Sequence, residues 1–265
     1  GDRVDPYHLL AAVVRPGDTI LTLNYDTFLD RALMDSGMNF VTRFDYGSDF
    51  IGIHVCEHHP YCSWYGFGLG DPAEAVAVLK LHGSTDWLRC QYCGRTFVSP
   101  GTPVTSSVIG EILRDDQIFI NKIKKYRPCC KRWDPRAMEP CIIAPTPRKN
   151  IKGQEISDVW DLAHMRVAQA KELVFLGFAL RRADIHFWEF LAEACASKHP
   201  HIVVVNSDPG SKLRKRYEDL ASELGSAVDF WRPSEYGIKP RVSDWLADLY
   251  LRSHFPWRKV LLKNA

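Results

Sequence analysis

Two side chains with the chemistry of a hydrolytic site follow two separate apolar runs of this chain. His82 comes directly after the run Val76–Leu81, and Gly83 follows it. An imidazole titrates near neutral pH and can take a proton from water or from a hydroxyl group. Asn24 ends the run that begins at Thr19, where its amide could orient a water molecule or a ribose hydroxyl. His82 and Asn24 are therefore the candidate catalytic pair, and a capping or core role for His82 is the alternative.

Further groups at the ends of apolar runs could bind a nucleotide, namely Asp26, Gly83, Gly177, Asn206 and Asp208. A carboxylate or amide there can hold a sugar hydroxyl, and a glycine lets a ligand approach the backbone closely. Most of them have a plainer interpretation. Asp26 fits a helix N-cap, Gly177 fits a simple turn, and the segment from Asn206 to Asp208 fits an Asn-x-Asp-Pro-Gly turn. Their joint placement, rather than any single residue, favours a binding site.

The elements that must position these groups are predicted from apolar runs and helical spacing. Continuous Val, Ile and Leu runs bounded by turn residues indicate buried parallel strands, here over 19–24, 76–81, 173–176 and 201–205. Helical spacing predicts helices over 7–14, 156–171, 183–197, 211–224 and 242–252. The alternation predicts an α/β fold with a parallel, doubly wound sheet. Ligands bind at the carboxyl ends of such strands, where the polar groups named above occur.

Some details of these elements are also expected. Asp26 and Thr27 supply N-cap chemistry for a helix after the first strand. The run that starts at Cys141 returns the chain to the sheet. Two helices are expected to turn one apolar side inward, with Ile185, Trp188, Leu191 and Ala194 in one and Leu213, Tyr217, Leu220 and Leu224 in the other.

The cysteines are clustered as in a metal site rather than spread as in a disulfide framework. Of eight cysteines, only Cys195 lies outside the stretch from Cys56 to Cys141. The pair Cys90 and Cys93, followed by the adjacent pair Cys129 and Cys130, resembles a four-thiolate structural zinc site. Three alternatives stay open. Cys141 could replace one ligand, a second cluster (Cys56, His58, His59 and Cys62) could complete the site or hold another ion, or the second pair could be free thiols.

Charge and hydropathy narrow the classes of partner. The net charge is +2, and the basic run 121–127 is typical of a solvated helix face, so nucleic acid is not indicated. No apolar stretch approaches the length of a membrane span, and no signal peptide opens the chain, so no membrane contact is expected. The clustered cysteines indicate a reducing compartment, so a cytoplasmic protein is expected. The chain opens Gly1-Asp-Arg, which suggests a start inside a longer protein.

Four motifs together resemble the sirtuin-like superfamily, most closely its bacterial antiphage-defence branch. They are Thr22-Leu-Asn-Tyr-Asp26, Leu81-His-Gly-Ser84, the Cys-x2-Cys after it, and Leu176-Gly-Phe-Ala-Leu180. The segment Pro140-Cys-Ile-Ile-Ala-Pro-Thr-Pro147 with Lys149, and the later Asp184, also look like that branch. The resemblance spans roughly residues 15–210. It departs from the family at Leu23, where sirtuins usually carry Gln, and no Gly-rich phosphate loop precedes Thr19.

The resemblance implies a role for each matching residue and a Rossmann-like fold with a small zinc-bearing insertion lobe. Asn24 would position the nicotinamide ribose and water, and His82 would be the general base. Asp26 would lie near the carboxamide, Gly177 beside the ribose and phosphate, and Asn206 on the adenosine ribose. The implied Rossmann-like domain comprises 1–37, 76–87 and 141–265, interrupted by an aromatic and Gly-rich insertion over 38–75 and a zinc-bearing insertion over 88–140.

The function that this resemblance implies is hydrolysis of the nicotinamide–ribose bond of NAD, in bacterial antiphage defence. NAD would be the substrate, zinc a structural metal, and the protein a homo-oligomer or part of a larger defence complex. Two alternatives remain. An NAD-dependent protein deacylase would use the same chemistry on an acyl-lysine, and a catalytically silent module would only bind a partner.

Overall fold

The computed structural model describes residues 5–38, 40–41, 51–52, 75–92, 96–98, 138–142, 154–181, 185–206, 210–231 and 242–254. Its helices are α1 Pro6–Val13, α2 Phe28–Asp35, α3 Gln154–Gln169, α4 Ile185–Ala194, α5 Ser211–Leu224 and α6 Val242–His254. Its strands are β1 Thr19–Thr22, β2 Phe40–Val41, β3 Ile51–Gly52, β4 Val76–Lys80, β5 Gly83–Cys90, β6 Thr96–Val98, β7 Met138–Ile142, β8 Glu172–Leu176, β9 His201–Val205 and β10 Val228–Phe230. The chain divides into two compact units. The N-terminal unit is Arg15–Trp160, and the C-terminal unit is Gly1–Val14 with Asp161–Ala265.

A parallel sheet of three strands, in the order β1-β4-β2, carries the N-terminal unit. The central strand β4 is buried along its whole length, as its continuous apolar run predicts. Helix α2 follows β1 and buries Leu29, Ala32 and Leu33. This arrangement places the carboxyl ends of β1 and β4 side by side.

A second sheet of the same unit is mixed, in the order β3-β6-β5-β7. Strand β7 contains Cys141 and pairs antiparallel with β5, whereas a return to the parallel sheet was expected at this residue. The reason lies in β5, which follows β4 after a connection of two residues. β7 pairs with β5 instead of with a strand of the parallel sheet. The β5 residues Gly83-Ser-Thr-Asp86 look like a loop in sequence, so the strand depends on this pairing rather than on apolar alternation.

The C-terminal unit is built on a continuous β8-α4-β9-α5-β10 segment. Its three strands are parallel and lie in the order β10-β9-β8, which is the βαβαβ arrangement of nucleotide-binding half-domains. Helix α5 has the predicted bounds, and all four residues expected to point inward on it are buried. Within the same unit, α1 packs against α6.

The buried face of α4 differs from the expected one. Ile185 is 54% exposed, and the half-buried Trp188 donates its indole N–H to Glu223 instead of filling the core. The buried residues are Phe187, Phe190, Leu191 and Ala194. The predicted residues are spaced three apart, and because a helix has 3.6 residues per turn, such residues move steadily around its surface. The observed residues follow the i, i+3, i+4, i+7 spacing, which keeps them on one face of the helix. The prediction was therefore wrong at Ile185 and Trp188 and right at Leu191 and Ala194.

The α/β fold class is confirmed, with parallel sheets flanked by helices in each unit. That these strands belong to one doubly wound sheet, and that the chain divides at the expected domain boundaries, stay predictions. Among the helices described, none is both long and apolar enough to cross a bilayer.

One exposed histidine predicts a pH dependence of stability. His201 lies between Asp229, 2.9 Å from its Nε2, and Glu172, 3.4 Å from its Nδ1. These hydrogen bonds, that of Asp229 first, raise the pKa of His201 above its ordinary value of 6.5. The folded state thus binds this proton more tightly than the unfolded chain. The stabilisation should be complete below about pH 6.5 and be lost as the pH rises through the folded-state pKa.

Urea unfolding of the His201→Gln variant across this pH range measures that contribution. The wild-type protein should lose stability relative to the variant as the pH rises, by a small amount because all three side chains are exposed. His186→Gln, which removes an exposed histidine beside a single carboxylate, is the control. A stability difference between wild type and His201→Gln that is the same at every pH would contradict the prediction.

Candidate active site

The two predicted catalytic residues follow neighbouring parallel strands at matching positions. Thr22 of β1 pairs in register with Lys80 of β4, and the Leu81 N–H donates to the Thr22 carbonyl oxygen at 3.0 Å. Asn24 and His82 each lie two residues beyond this matched pair. The structure therefore brings the two strand ends together, as the sequence predicts. That the amide and the imidazole face each other across one crevice stays a prediction.

The backbone is constrained on both sides of His82. Its side chain is 5% exposed, and the carbonyl of the preceding Leu81 accepts the indole N–H of Trp160 at 2.9 Å. On the other side, Gly83 has a φ of +74°, and a Cβ there would collide with the backbone carbonyl oxygen of Cys141. A glycine is required at 83 both for the backbone angle and for the close approach of β7. This requirement is structural and independent of any ligand.

Asn24 is exposed, in contrast to His82. Its backbone N–H donates to Thr22 Oγ1 at 3.0 Å, which closes a local turn at the end of β1. Asn24 is thus a solvent-exposed residue at the end of β1, and its role toward a ligand stays a prediction.

Asp26 caps α2 from the position before the N-cap, whereas its sequence context predicted that it would be the N-cap residue itself. Its Oδ1 accepts the N–H of Phe28, the first residue of α2, at 3.1 Å, while the N-cap residue Thr27 makes no capping bond with its side chain. The backbone carbonyl of Asp26 accepts from Lys80 Nζ at 2.8 Å. These contacts account for Asp26 structurally, and its role near a carboxamide stays a prediction.

A buried charge cluster beneath these loops was missed by the sequence reasoning. Lys80 is 1% exposed, and its ammonium lies 2.7 Å from Oδ2 of Asp30, which is fully buried on α2. The same ammonium donates to Ser84 Oγ at 2.7 Å. The available signal was a lysine inside an otherwise continuous apolar strand, because a lysine is almost never fully buried unless it is paired.

A second pair of predicted residues meets in the C-terminal unit. Leu176 of β8 pairs in register with Val205 of β9, so Gly177 and Asn206 follow at matching positions. The Gly177 N–H donates to the Val205 carbonyl at 2.8 Å, and Asn206 Nδ2 donates to the Phe178 carbonyl at 3.3 Å. The two strand ends are thus tied together as expected. The remaining residue of this set, Asp208, lies outside the described residues.

The Phe178 carbonyl is shared with Tyr217 of α5, whose hydroxyl donates to it at 2.9 Å. Tyr217 is fully buried, and this burial raises the pKa of its phenol well above the usual range. The tyrosine therefore acts as a neutral donor that joins α5 to the end of β8. It is a structural support for Gly177 and Asn206 that the helical pattern places in the core but does not identify as a hydrogen-bond donor.

Two of the predicted binding residues, Gly83 and Gly177, should respond unequally to replacement by alanine. Gly177 also has a positive φ, of +65°, but a Cβ there would meet only a Val242 methyl at 3.8 Å. Both alanine variants carry a left-handed backbone penalty of about 1–2 kcal/mol, and Gly83→Ala alone adds a collision with backbone atoms. Gly83→Ala should therefore destabilise the protein more than Gly177→Ala. Denaturant unfolding measures both losses, and equal losses would contradict the geometry.

The predicted zinc ligands are not tested by the described structure. Cys93, Cys129, Cys130 and the side chain of Cys90 lie outside the described residues. Cys141, the alternative ligand, is buried in β7, as expected of a strand cysteine. Within the part of the chain that is described, no group of three or more His, Cys, Asp or Glu side chains could hold a metal ion.

Comparison with known proteins finds distant structural similarity. No protein-family model matches this chain, and no curated protein has significant sequence similarity to it. A structure from work on the mechanism and regulation of Sir2 enzymes is 15% identical, with a TM-score of 0.41, and the match covers 96% of this chain and 75% of the other.

Two further Sir2 structures are similar over a smaller part of the chain. One contains the inhibitor EX-527, 2'-O-acetyl-ADP-ribose and a deacetylated p53 peptide, and the other contains a p53 peptide and NAD+. Each is 14% identical with a TM-score of 0.36 and matches 69% of this chain, and the matches span 58% and 57% of their own lengths. These similarities are distant, so the function proposed below rests on the residues of this chain.

Proposed function

We propose that this protein cleaves the nicotinamide–ribose bond of NAD by hydrolysis. The observation that carries the proposal is the matched placement of Asn24 and His82 after the register pair Thr22 and Lys80. This placement brings an exposed amide and a buried imidazole to the carboxyl edge of a parallel sheet, where ligands of α/β proteins bind. The motifs around both residues resemble those of the sirtuin-like superfamily, in its antiphage-defence branch.

In the proposed reaction, the bond between the nicotinamide nitrogen and C1' of the ribose breaks, and its electron pair stays on the nicotinamide. Asn24 holds the ribose and one water molecule against the resulting ribosyl cation. The water oxygen bonds to C1', and the imidazole of His82 takes the proton that this water loses. The products are nicotinamide, ADP-ribose and one proton.

The remaining residues are assigned supporting roles. Asp26 and Gly83 border the nicotinamide end, while Gly177, Asn206 and Asp208 hold the riboses and phosphates. Cys90, Cys93, Cys129 and Cys130 hold a structural zinc ion that takes no part in the reaction. The protein acts in the cytoplasm, as a homo-oligomer or within a larger defence complex.

Incubation of the purified protein with NAD tests this function. Release of nicotinamide and ADP-ribose in equal amounts, without any acyl acceptor, is the expected result. Cleavage that requires an acetylated peptide would instead establish a deacylase. Binding of NAD by titration calorimetry without cleavage, or the absence of binding, would favour a silent module.

A further inference from the structure

The ammonium of Lys80 forms one ion pair and donates two hydrogen bonds, to three oxygen atoms of the described residues. They are Asp30 Oδ2 at 2.7 Å, Ser84 Oγ at 2.7 Å and the Asp26 carbonyl oxygen at 2.8 Å. Lys80, Asp30 and Ser84 are all at most 1% exposed. We name this group, with the carbonyls of Tyr25 and Asp26, the lysine clamp. A buried cation with these links fixes the backbone that it contacts, because each broken hydrogen bond would leave a buried polar group unpaired.

The lysine clamp links the segment that follows Asn24 to the segment that follows His82. Ser84 Oγ donates to the Tyr25 carbonyl at 3.3 Å, and the Thr85 N–H donates to the same oxygen at 2.8 Å. The clamp therefore holds the two residues that directly follow Asn24. Lys80 and Ser84 also bracket His82, two residues before it and two residues after it.

We propose that Lys80 is a positioning residue for the NAD-cleaving site, which holds the backbone of Asn24 in register with that of His82. This inference rests on the function proposed above. Lys80 is not proposed as a catalytic residue, since its ammonium is buried and already pairs with Asp30, Ser84 and the Asp26 carbonyl. It acts through Ser84 and the two loop carbonyls.

The alternative is that the pair Lys80–Asp30 serves stability alone. A buried ion pair is a poor device for that purpose, because well-packed apolar residues of similar volume are often equally stable or more so. The two hydrogen bonds of the ammonium, to Ser84 and to the Asp26 carbonyl, satisfy its remaining protons, and both end on the segments that adjoin His82 and Asn24. This is the arrangement expected of a residue that positions those segments.

The double variant Lys80→Met/Asp30→Leu tests the proposal, since it removes both buried charges with little change of volume. Ser84→Ala is the second variant, which keeps the ion pair and removes only the bridge to Tyr25. Val78→Ala is the matched control, because Val78 lies in the same strand, is fully buried and is an apolar residue. It lowers packing in β4 without removing any polar link to the loop.

The first measurement is amide hydrogen exchange, which does not depend on NAD. In the double variant, and to a lesser degree in Ser84→Ala, the Thr85 amide should exchange at least ~10-fold faster, relative to amides of β1 in the same unit. The control should change Thr85 and β1 alike. Equal protection of Thr85 in all three variants would overturn the clamp.

The second measurement is the partition of the ribosyl cation between water and added nicotinamide, which re-forms NAD. A displaced Asn24 and His82 should slow the attack of water by about 100-fold, as expected for a misplacement near 1 Å, while nicotinamide needs no proton removed. The ratio of exchange to hydrolysis should therefore rise. This ratio does not change with the folded fraction, so a merely structural role of Lys80 would leave it unaltered.

The outcomes separate the two proposals. An unchanged ratio in folded variants of a protein that cleaves NAD overturns the positioning role and leaves the proposed function standing. Failure of the wild-type protein to cleave NAD overturns the proposed function, and with it the catalytic meaning of the lysine clamp. A raised ratio together with local loss of protection at Thr85 supports both.

Discussion

Replacement of His82 by alanine is expected to lower the rate of NAD hydrolysis by about 100- to 10,000-fold, which is the usual cost of removing a general base. Nicotinamide release, measured as an initial rate per folded protein, is the test. Because His82 is 5% exposed, its removal also leaves a cavity, and the folded fraction must be measured beside the rate. Added imidazole should restore part of the rate if the missing group is a base.

Asn24→Ala separates catalysis from folding more cleanly than the histidine variant. The Asn24 side chain is exposed, so its loss should change the free energy of unfolding by no more than about 0.5 kcal/mol. A comparable loss of rate is expected nonetheless, because the amide orients the ribose and the water. Gln169→Ala, which removes an exposed amide at the end of α3, is the control. Near-normal hydrolysis by His82→Ala or by Asn24→Ala would refute the proposed mechanism.

Strands and helices with an uninterrupted pattern of apolar residues were predictable from the sequence. The run from His201 to Val205 and the helix Ser211–Leu224 were predicted at the bounds that the structure shows, because uninterrupted apolar patterns decide both. β1 and β4 were predicted one or two residues too long. Their pairing ends at Thr22 and Lys80, which frees the segments of Asn24 and His82 from the ladder. The polar ends of apolar runs thus located both candidate residues.

Elements that depend on distant partners were not predictable. β5 has a loop-like composition at its start and becomes a strand through β7, more than fifty residues later in the chain. β10 is only three residues long, too short for a pattern. For Lys80, the sequence shows a charge within a strand but does not show which of many carboxylates pairs with it. Its contact with the Asp26 carbonyl joins residues 54 positions apart.

Lys80→Met alone is expected to lower the free energy of unfolding by about 3–5 kcal/mol, since Asp30 would remain as a buried charge without its cation. Neither carboxylate oxygen of Asp30 accepts a hydrogen bond within the described residues, so the ion pair with Lys80 is the main compensation of that charge. Removal of both charges in Lys80→Met/Asp30→Leu should instead leave stability close to that of the wild type. Urea unfolding of the wild type, both single variants and the double variant gives the coupling energy between the two residues.

A Lys80→Met variant as stable as the wild type would contradict the buried ion pair, because it would mean that Asp30 carries no charge or reaches water. The expected cycle also has a consequence for catalysis. If the double variant folds as well as the wild type, any loss of hydrolysis in it cannot come from unfolding. The loss must then come from the backbone of Asn24 and His82, which the ammonium of Lys80 no longer holds. Stability and activity would thereby be separated at one buried residue, and the ion pair would be explained by the loop that it positions rather than by the fold that contains it.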